Sequence, residues 1–287
     1  REYSAFWREC PMHKIKRSER IGAMIKILSD MPNRIYTLNH FSELFGAAKS
    51  TISEDIDIAR EVLEEFKLGS LETVTGAAGG VMYLPTPSPE AARRFVDEMC
   101  LRLSDPERIL AGGYLYMLDE LSHPAKVARM GEILAHWFRD AQPDFVVTVE
   151  TKGISVALMV ARCLNVPMIT ARRDVRISEG SVVTINYVTG STHKIQSMSL
   201  PKRAVVEGQR ALIIDDFMKR GGTLRGVVDL MREFSVTVVG MGVVMTTAEP
   251  ERKLVDNCRS LMVLHSVDES VRRVDVRPSR YIRGMEA

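Results

Sequence analysis

Between Arg17 and Phe66 the apolar positions recur at helical spacing. Ile21, Met24, Ile25 and Leu28 share one face of the segment from Arg17 to Met31, which predicts a helix that Met31-Pro32-Asn33 ends. Thr37 can cap a second, short helix whose stripe is Leu38, Phe41, Leu44 and Phe45. Gly46-Ala47-Ala48 then makes a tight connection to a third. There Ile52, Ile56, Ala59, Leu63 and Phe66 are spaced 4, 3, 4 and 3 residues apart. This third helix starts either at Thr51, which has capping-box spacing to Glu54, or at Ser50. Three short helices with a tight turn before the last form a helix-turn-helix arrangement.

The period then shortens. Leu71 to Val74 and Val81 to Leu84 place β-formers on either side of Gly76-Ala77-Ala78-Gly79-Gly80, a hairpin in the position of a wing. Pro85-Thr86-Pro87-Ser88-Pro89 is stiff and extended, and marks a domain boundary. The chain therefore reads as an extension (residues 1–11), a winged-helix domain (residues 12–86) and a second domain (residues 87–287). Arg1 to Pro11 has no period and is set aside as an upstream extension or cloning remnant. Beyond the boundary, helices over Glu90–Leu103, Ala125–Phe138, Ile154–Leu164 and Leu224–Phe234 are joined by strands. The strands are Asp144–Val149, Val166–Ala171, Arg210–Ile214 and Val236–Met245. Alternation of this kind predicts an α/β fold with a mostly parallel sheet covered on both faces. Val182–Val188 and Ile195–Leu200 predict a hairpin rising off it.

Composition narrows the class without changing this picture. With 287 residues, 45% of them apolar and 26% charged, the chain reads as two ordinary globular domains. Neither a membrane-length apolar run nor a signal peptide is visible, so the expected compartment is the cytoplasm. Cys10, Cys100, Cys163 and Cys258 lie far apart, and the six histidines form no H-E-x-x-H, so no metal site or dithiol chemistry is expected. Charge distribution says more than the net +2. Lys14, Lys16, Arg17, Arg20, Lys26 and Arg34 face only Glu19 and Asp30, and Arg272, Arg273, Arg277, Arg280 and Arg283 face Asp275 and Glu286. Each cluster reads either as a footprint for a polyanion or as a solvated face.

The sharpest chemical signal runs from Ala211 to Thr223. A hydrophobic strand delivers Asp215 and Asp216, and Phe217-Met218-Lys219-Arg220 leads to Gly221-Gly222-Thr223, which opens a helix. In open α/β sheets ligands bind at such strand ends. Loop amides and a helix N-terminus converge there on one spot, and the Thr223 hydroxyl adds a further hydrogen bond, so the turn is a phosphate cradle. Two carboxylates beside a phosphate make sense when they accept hydrogen bonds from a ribose whose 5′-phosphate the loop holds.

This stretch resembles the fingerprint of type I phosphoribosyltransferases, which bind phosphoribosyl pyrophosphate (PRPP). The resemblance implies that Glu150-Thr151-Lys152-Gly153-Ile154-Ser155, after the first core strand, wraps the pyrophosphate. Thr151 and Ser155 would offer hydroxyls, Lys152 charge and Gly153 backbone freedom. Arg172 and Arg173, ending the next strand, stand where the family keeps a basic residue. One departure matters. The enzymes place small, hydroxylated or acidic residues before Gly-x-Thr, whereas this chain has Lys219 and Arg220. A lysine reverses the charge of the carboxylate that can manage the base's proton there. The basic pair suits a site that binds PRPP and does not turn it over.

With the winged helix in front, the chain from about Lys16 onward resembles the purine operon repressors of Gram-positive bacteria. Arg17-Ser18-Glu19-Arg20, the segment from Lys49 to Asp55, the Gly76–Gly80 tip, the segment from Asp105 to Tyr114 and Ile213 to Thr223 carry the likeness. It implies a homodimer on double-stranded operator DNA that represses purine synthesis and transport genes. PRPP, with or without magnesium, would release it, and guanosine tetraphosphate would compete for the same pocket. Lys49, Ser50, Thr51 and Ser53 open the third helix while acids fill its later turns, the order a recognition helix needs when it enters the groove by its N-terminal end. The serines and threonine serve equally well as caps. Arg17 and Arg20 are candidate phosphate clamps, and Gly79 and Gly80 at the wing tip are candidate DNA contacts or merely turn residues. Two further readings stay open: an active purine or xanthine phosphoribosyltransferase with an accessory winged helix, and a protein-binding role for that helix.

Overall fold

The computed structural model describes residues 15–76, 79–173, 180–188 and 195–285. The chain divides into two compact units between Pro87 and Ser88. In the first, α1 (Arg17–Asp30), α2 (Leu38–Phe45) and α3 (Lys49–Glu65) enclose Met24, Leu28, Phe41, Ile52 and Ala59, all fully buried. Antiparallel strands β1 (Ser70–Val74) and β2 (Gly80–Leu84) close that core, and Tyr36 pairs with Val81 on the outer side of β2.

Local signals set these helices. Thr37 Oγ1 accepts the His40 N–H at 3.2 Å and caps α2, and Gly46, at φ +60°, ends it in the left-handed region. The third helix departs from expectation. It begins at Lys49 behind Ala48, which has no side-chain cap, so neither Ser50 nor Thr51 caps it. Phe66 falls beyond its end and is 65% exposed, outside the core.

The second unit comprises α4 (Pro89–Leu103), the short strands β3 (Ile109–Leu110) and β4 (Tyr114–Leu115), α5 (Leu118–Ser122) and α6 (Pro124–Phe138). Strand β5 (Phe145–Val149), α7 (Ile154–Leu164) and β6 (Met168–Ala171) follow, then the hairpin β7 (Val182–Val188) and β8 (Ile195–Pro201). The chain continues through β9 (Arg210–Met218), α8 (Gly222–Glu233), β10 (Thr237–Thr247), β11 (Cys258–Asp268), β12 (Arg273–Pro278) and α9 (Arg280–Arg283). Six strands form one sheet in the order β12-β11-β10-β9-β5-β6, parallel except for the antiparallel edge pair β11–β12.

Alternation along β9 builds both layers. Leu212 and Ile214 pack with Leu134 and Val160 of α6 and α7, while Ala211 and Ile213 pack with Val227 and Leu230 of α8. The β7–β8 hairpin stands as a separate two-stranded sheet with Tyr187 and Met198 against Gly226 of α8. Strands β11 and β12 were not anticipated from the sequence, and β9 runs four residues further than expected, so Asp215 and Asp216 belong to the strand. Among the described residues no helix is long and apolar enough to cross a membrane.

Candidate functional site

In the first unit, Lys49, Ser50 and Ser53 lie exposed on the opening turns of α3, with Thr51 half-buried. Because Ala48 occupies the cap position, the capping explanation for these hydroxyls falls away. A groove of about 470 Å³ runs between α3, the start of α2 and the wing, lined by Lys49, Ser53, Asn39, Arg60 and Thr73 among others. Asn39 was not singled out from the sequence. Its position in the first turn of α2 gave no chemical pattern to notice.

Arg60 explains its own exception to the charge order along α3. Its guanidinium donates to the Leu71 carbonyl at 3.1 Å and to Thr73 Oγ1 at 3.0 Å, and pairs with Asp57. It therefore ties β1 to α3.

Arg20 requires a correction. It is buried, its Nε donates to Asp55 Oδ2 at 2.7 Å, and Nη1 reaches the Ile15 carbonyl at 3.1 Å. Asp55 is fully buried. An arginine spent on a buried carboxylate joins α1 to α3 and is poorly placed to clamp a phosphate. Arg17 is half-exposed but pairs with Glu54 and, at 3.1 Å, with Asp55, so an anion there must compete with two carboxylates.

Gly80 is corrected as well. It is buried, and a Cβ on it would stand 2.1 Å from the Tyr36 carbonyl oxygen. Gly79 would meet the Val74 carbonyl at 2.4 Å. Gly79 serves close backbone approach within the wing, and Gly80 serves it between the wing and the segment before α2. Ala77 and Ala78, like Lys14 and residues 1–11, lie outside the described residues. In the C-terminal basic cluster, Arg277 is held by both oxygens of Asp275 at 2.8 and 2.6 Å.

In the second unit the two sequence motifs meet. Loop residues 150–153 leave β5 and lie against β9 at Asp215. Gly153 sits so close there that a Cβ would lie 2.6 Å from Asp215 Oδ1 and 2.7 Å from Thr148 Oγ1. Asp215 is buried and its Oδ1 accepts the Asp216 N–H at 2.9 Å. Burial, together with the neighbouring Asp216 charge, holds its carboxyl well above the ordinary carboxylate range. Asp216 is half-buried and remains open to a ligand. The paired role expected for the two acids therefore splits. Asp215 supports the loop from below, and Asp216 is the group positioned to accept from a hydroxyl.

Met218 is buried in the core beneath α8 and the partly buried Phe217 packs against the core on the opposite face, so both side chains serve packing. Lys219 and Arg220 are exposed, Gly221 takes φ +85°, and α8 begins at Gly222 with Thr223 half-buried in its first turn. Thr151 and Lys152 are exposed beside Gly153. The Ser155 hydroxyl donates instead to the Leu121 carbonyl at 2.7 Å and is turned away from the loop. Arg173 is exposed, with its N–H held by Glu150 Oε1 at 2.7 Å and its charge close enough to act on Asp215. Arg172 is half-buried and pairs through its backbone with Ser199. Cys258 lies near Asp215; burial, reinforced by that carboxylate, raises its thiol to about 12, so it is no nucleophile. The assembly combines two amide-rich turns, one available carboxylate and several exposed cations. Amides and cations placed so are chemically suited to phosphate oxygens, and a carboxylate beside them to a hydroxyl.

Two family descriptions match this chain: the N-terminal domain of the bacterial purine repressor over residues 16–85, and the phosphoribosyl transferase domain over residues 118–277. The purine biosynthesis transcriptional repressor of Bacillus subtilis is 41% identical over 94% of this chain and 95% of its own length. A purine biosynthesis transcriptional activator of Lactococcus lactis is 36% identical over 91% of this chain and 97% of its own. Among solved structures, adenine phosphoribosyltransferase of Saccharomyces cerevisiae superposes with a TM-score of 0.51 at 18% identity, covering 58% of this chain and 98% of that one. At that identity the likeness speaks for the fold of the second unit.

Proposed function

This chain belongs to the family of bacterial purine repressors, and on that premise we propose that it is a ligand-gated transcriptional regulator of purine genes. The first unit binds double-stranded operator DNA, with α3 entering the major groove by its Lys49 end. The second binds PRPP without turning it over, and PRPP weakens the hold on DNA. The repressor sense follows the Bacillus subtilis relative, the more similar of the two regulators. Regulation of this kind acts on DNA and so places the protein in the cytoplasm.

The observation that carries the effector reading is the seat of Gly153 on Asp215, which brings the turn after β5 against the strand that carries Asp216 and leads into the loop before α8. Asp216 takes the ribose hydroxyls, Gly221, Gly222 and Thr223 take the 5′-phosphate, and Thr151, Lys152 and Arg173 take the pyrophosphate. Guanosine tetraphosphate presents a similar spread of phosphates and competes for the same cations. A homodimer supplies the two half-site readers that an operator with two-fold symmetry requires.

A gel-shift assay on a fragment upstream of a purine gene, with and without PRPP, tests the proposal. The expected result is a complex that PRPP dissolves. Incubation with PRPP, magnesium and each purine base should release no pyrophosphate above background. Nucleotide formation at enzyme-like rates would replace this reading with that of a transferase.

A further inference from the structure

Resting on the effector reading above, we infer that Lys253 is a positioning residue for the phosphate: it holds the loop from Met218 to Gly221 from behind, so that the loop amides stand fixed toward the ligand. Lys253 belongs to neither motif and lies 34 residues from Lys219 in sequence. Three successive loop carbonyls are held by the segment from Thr246 to Leu254. Thr246 Oγ1 donates to the Met218 carbonyl at 3.1 Å, Lys253 Nζ to the Lys219 carbonyl at 2.7 Å, and the Leu254 N–H to the Arg220 carbonyl at 2.8 Å. In a trans peptide the C=O of one residue and the N–H of the next point in opposite directions. Drawing the carbonyls of Met218, Lys219 and Arg220 toward this segment therefore aims the amides of Lys219, Arg220 and Gly221 away from it. Gly221 at φ +85° then turns the chain into α8, whose first N–H groups have no partner inside the helix.

A lysine suits this place. Its ammonium has three hydrogens, and three acceptors surround it: the Lys219 carbonyl at 2.7 Å, the Thr247 carbonyl at 2.8 Å and Thr247 Oγ1 at 3.1 Å. Thr247 Oγ1 in turn donates to the Glu249 carbonyl at 2.6 Å. One half-buried cation thereby joins the loop to the end of β10. Burial lowers the pKa of Lys253, with Glu249 opposing the shift. Lys219 and Arg220, by contrast, are exposed and contribute charge without fixing the backbone. A loop held in shape before the ligand arrives does not have to be ordered on binding, which raises affinity.

Calorimetry with three probes in magnesium buffer (PRPP, ribose 5-phosphate and inorganic pyrophosphate) separates this role from a general structural one. The Lys253→Met protein should lose about ten-fold in affinity for PRPP and ribose 5-phosphate. Pyrophosphate, which binds at the Gly153 turn, should be held as before, and Lys253→Arg should recover most of the loss. Thr247→Val keeps the lysine but removes one of its acceptors, together with the 3.2 Å contact from Thr247 Oγ1 to the same Lys219 carbonyl; it should give a smaller loss of the same pattern and keeps the test open if Lys253→Met does not fold. Faster amide hydrogen exchange at Lys219 to Gly221 should accompany the loss. Unchanged ribose 5-phosphate affinity in both variants, or equal losses for ribose 5-phosphate and pyrophosphate, overturns the inference. A wild-type protein that binds none of the three probes overturns the effector reading itself, and Lys253's role with it.

Discussion

At Arg20 the guanidinium is committed to Asp55, and its removal leaves a carboxylate buried with only Arg17 nearby. Arg20→Ala should destabilise the first unit by roughly 3 kcal/mol, the low end for breaking a buried pair. Any protein that still folds should keep the wild-type salt dependence of operator binding. Lys49 is exposed at the start of α3, and Lys49→Ala should reduce the slope of log affinity against log salt by about 0.9 for each phosphate that the lysine neutralises. Parallel gel-shift titrations at several salt concentrations compare the two; a reduced slope in the Arg20 variant and none in the Lys49 variant would reverse the assignment. Asp215 makes a prediction in pH. Its carboxyl titrates well above the ordinary range in the folded protein, so no buried charge weighs on the fold while it is protonated in both states. As pH rises through the ordinary carboxylate range, the unfolded chain ionises first and stability falls until the folded carboxyl ionises too. Asp215→Asn should remove that decline and raise the melting temperature at neutral pH by a few degrees, since about 1 kcal/mol corresponds to 2–4 °C in a domain of this size. Coincident pH–stability curves would place an ionised, hydrated Asp215 in the fold.

The turn after β5 works as an element only because one position lacks a side chain. A Cβ at Gly153 meets not just Asp215 Oδ1 and Thr148 Oγ1 but the Asp215 Cα at 3.1 Å, so the strand end cannot yield as a flexible side chain would. Overpacking of this kind costs about 1–3 kcal/mol. Gly153→Ala should therefore lift the turn off β9 and weaken PRPP by ten-fold or more, with operator binding retained; calorimetry showing wild-type affinity would separate the turn from the ligand. The wing is an element of the same kind. Arg60 fastens β1 to α3, and Gly80 lets β2 lie against Tyr36.

For the whole molecule, the proposed function requires that two ligands of the same charge oppose each other. Coupling of about 1–3 kcal/mol is enough for a 5–150-fold change in affinity, and linkage makes it reciprocal. Operator DNA should therefore weaken PRPP by the factor by which PRPP weakens operator DNA. Titrating PRPP into the free protein and into the protein–operator complex measures this, and equal affinities would remove PRPP as the inducer. Two physical routes lead there. PRPP can cancel the field of Lys152, Arg173, Lys219 and Arg220, in which case the coupling shrinks as salt rises. Alternatively it changes the spacing of the two half-site readers in a dimer, in which case the coupling depends on the half-site spacing of the DNA.

Much of the fold was written in local patterns. The helix over Ile154–Leu164, the cap at Thr37, the turn at Gly46 and the strand–turn–helix of the phosphate motif follow from period and turn chemistry, which act over a few residues and are legible in order along the chain. The break in the proline-rich segment near Pro87 was legible for the same reason. Strands β11 and β12 escaped notice because an edge pair with mixed burial has no clean period. The candidate site divides along the same line. Its residue types and their places on loops could be read directly, but their duties could not. Arg20 and Asp55 stand 35 residues apart, and only packing makes one the partner of the other. Asp215 and Asp216 are chemically identical neighbours, yet one is sealed under Gly153 and the other left open, because the pleat of β9 points them to different surroundings. Lys253 carried no signal at all, since its role lies in three carbonyl and hydroxyl oxygens brought to it by the ends of β9 and β10. Sequence determines what a side chain can offer; whether it is offered to a ligand, to the core or to another loop depends on what the folded chain sets beside it.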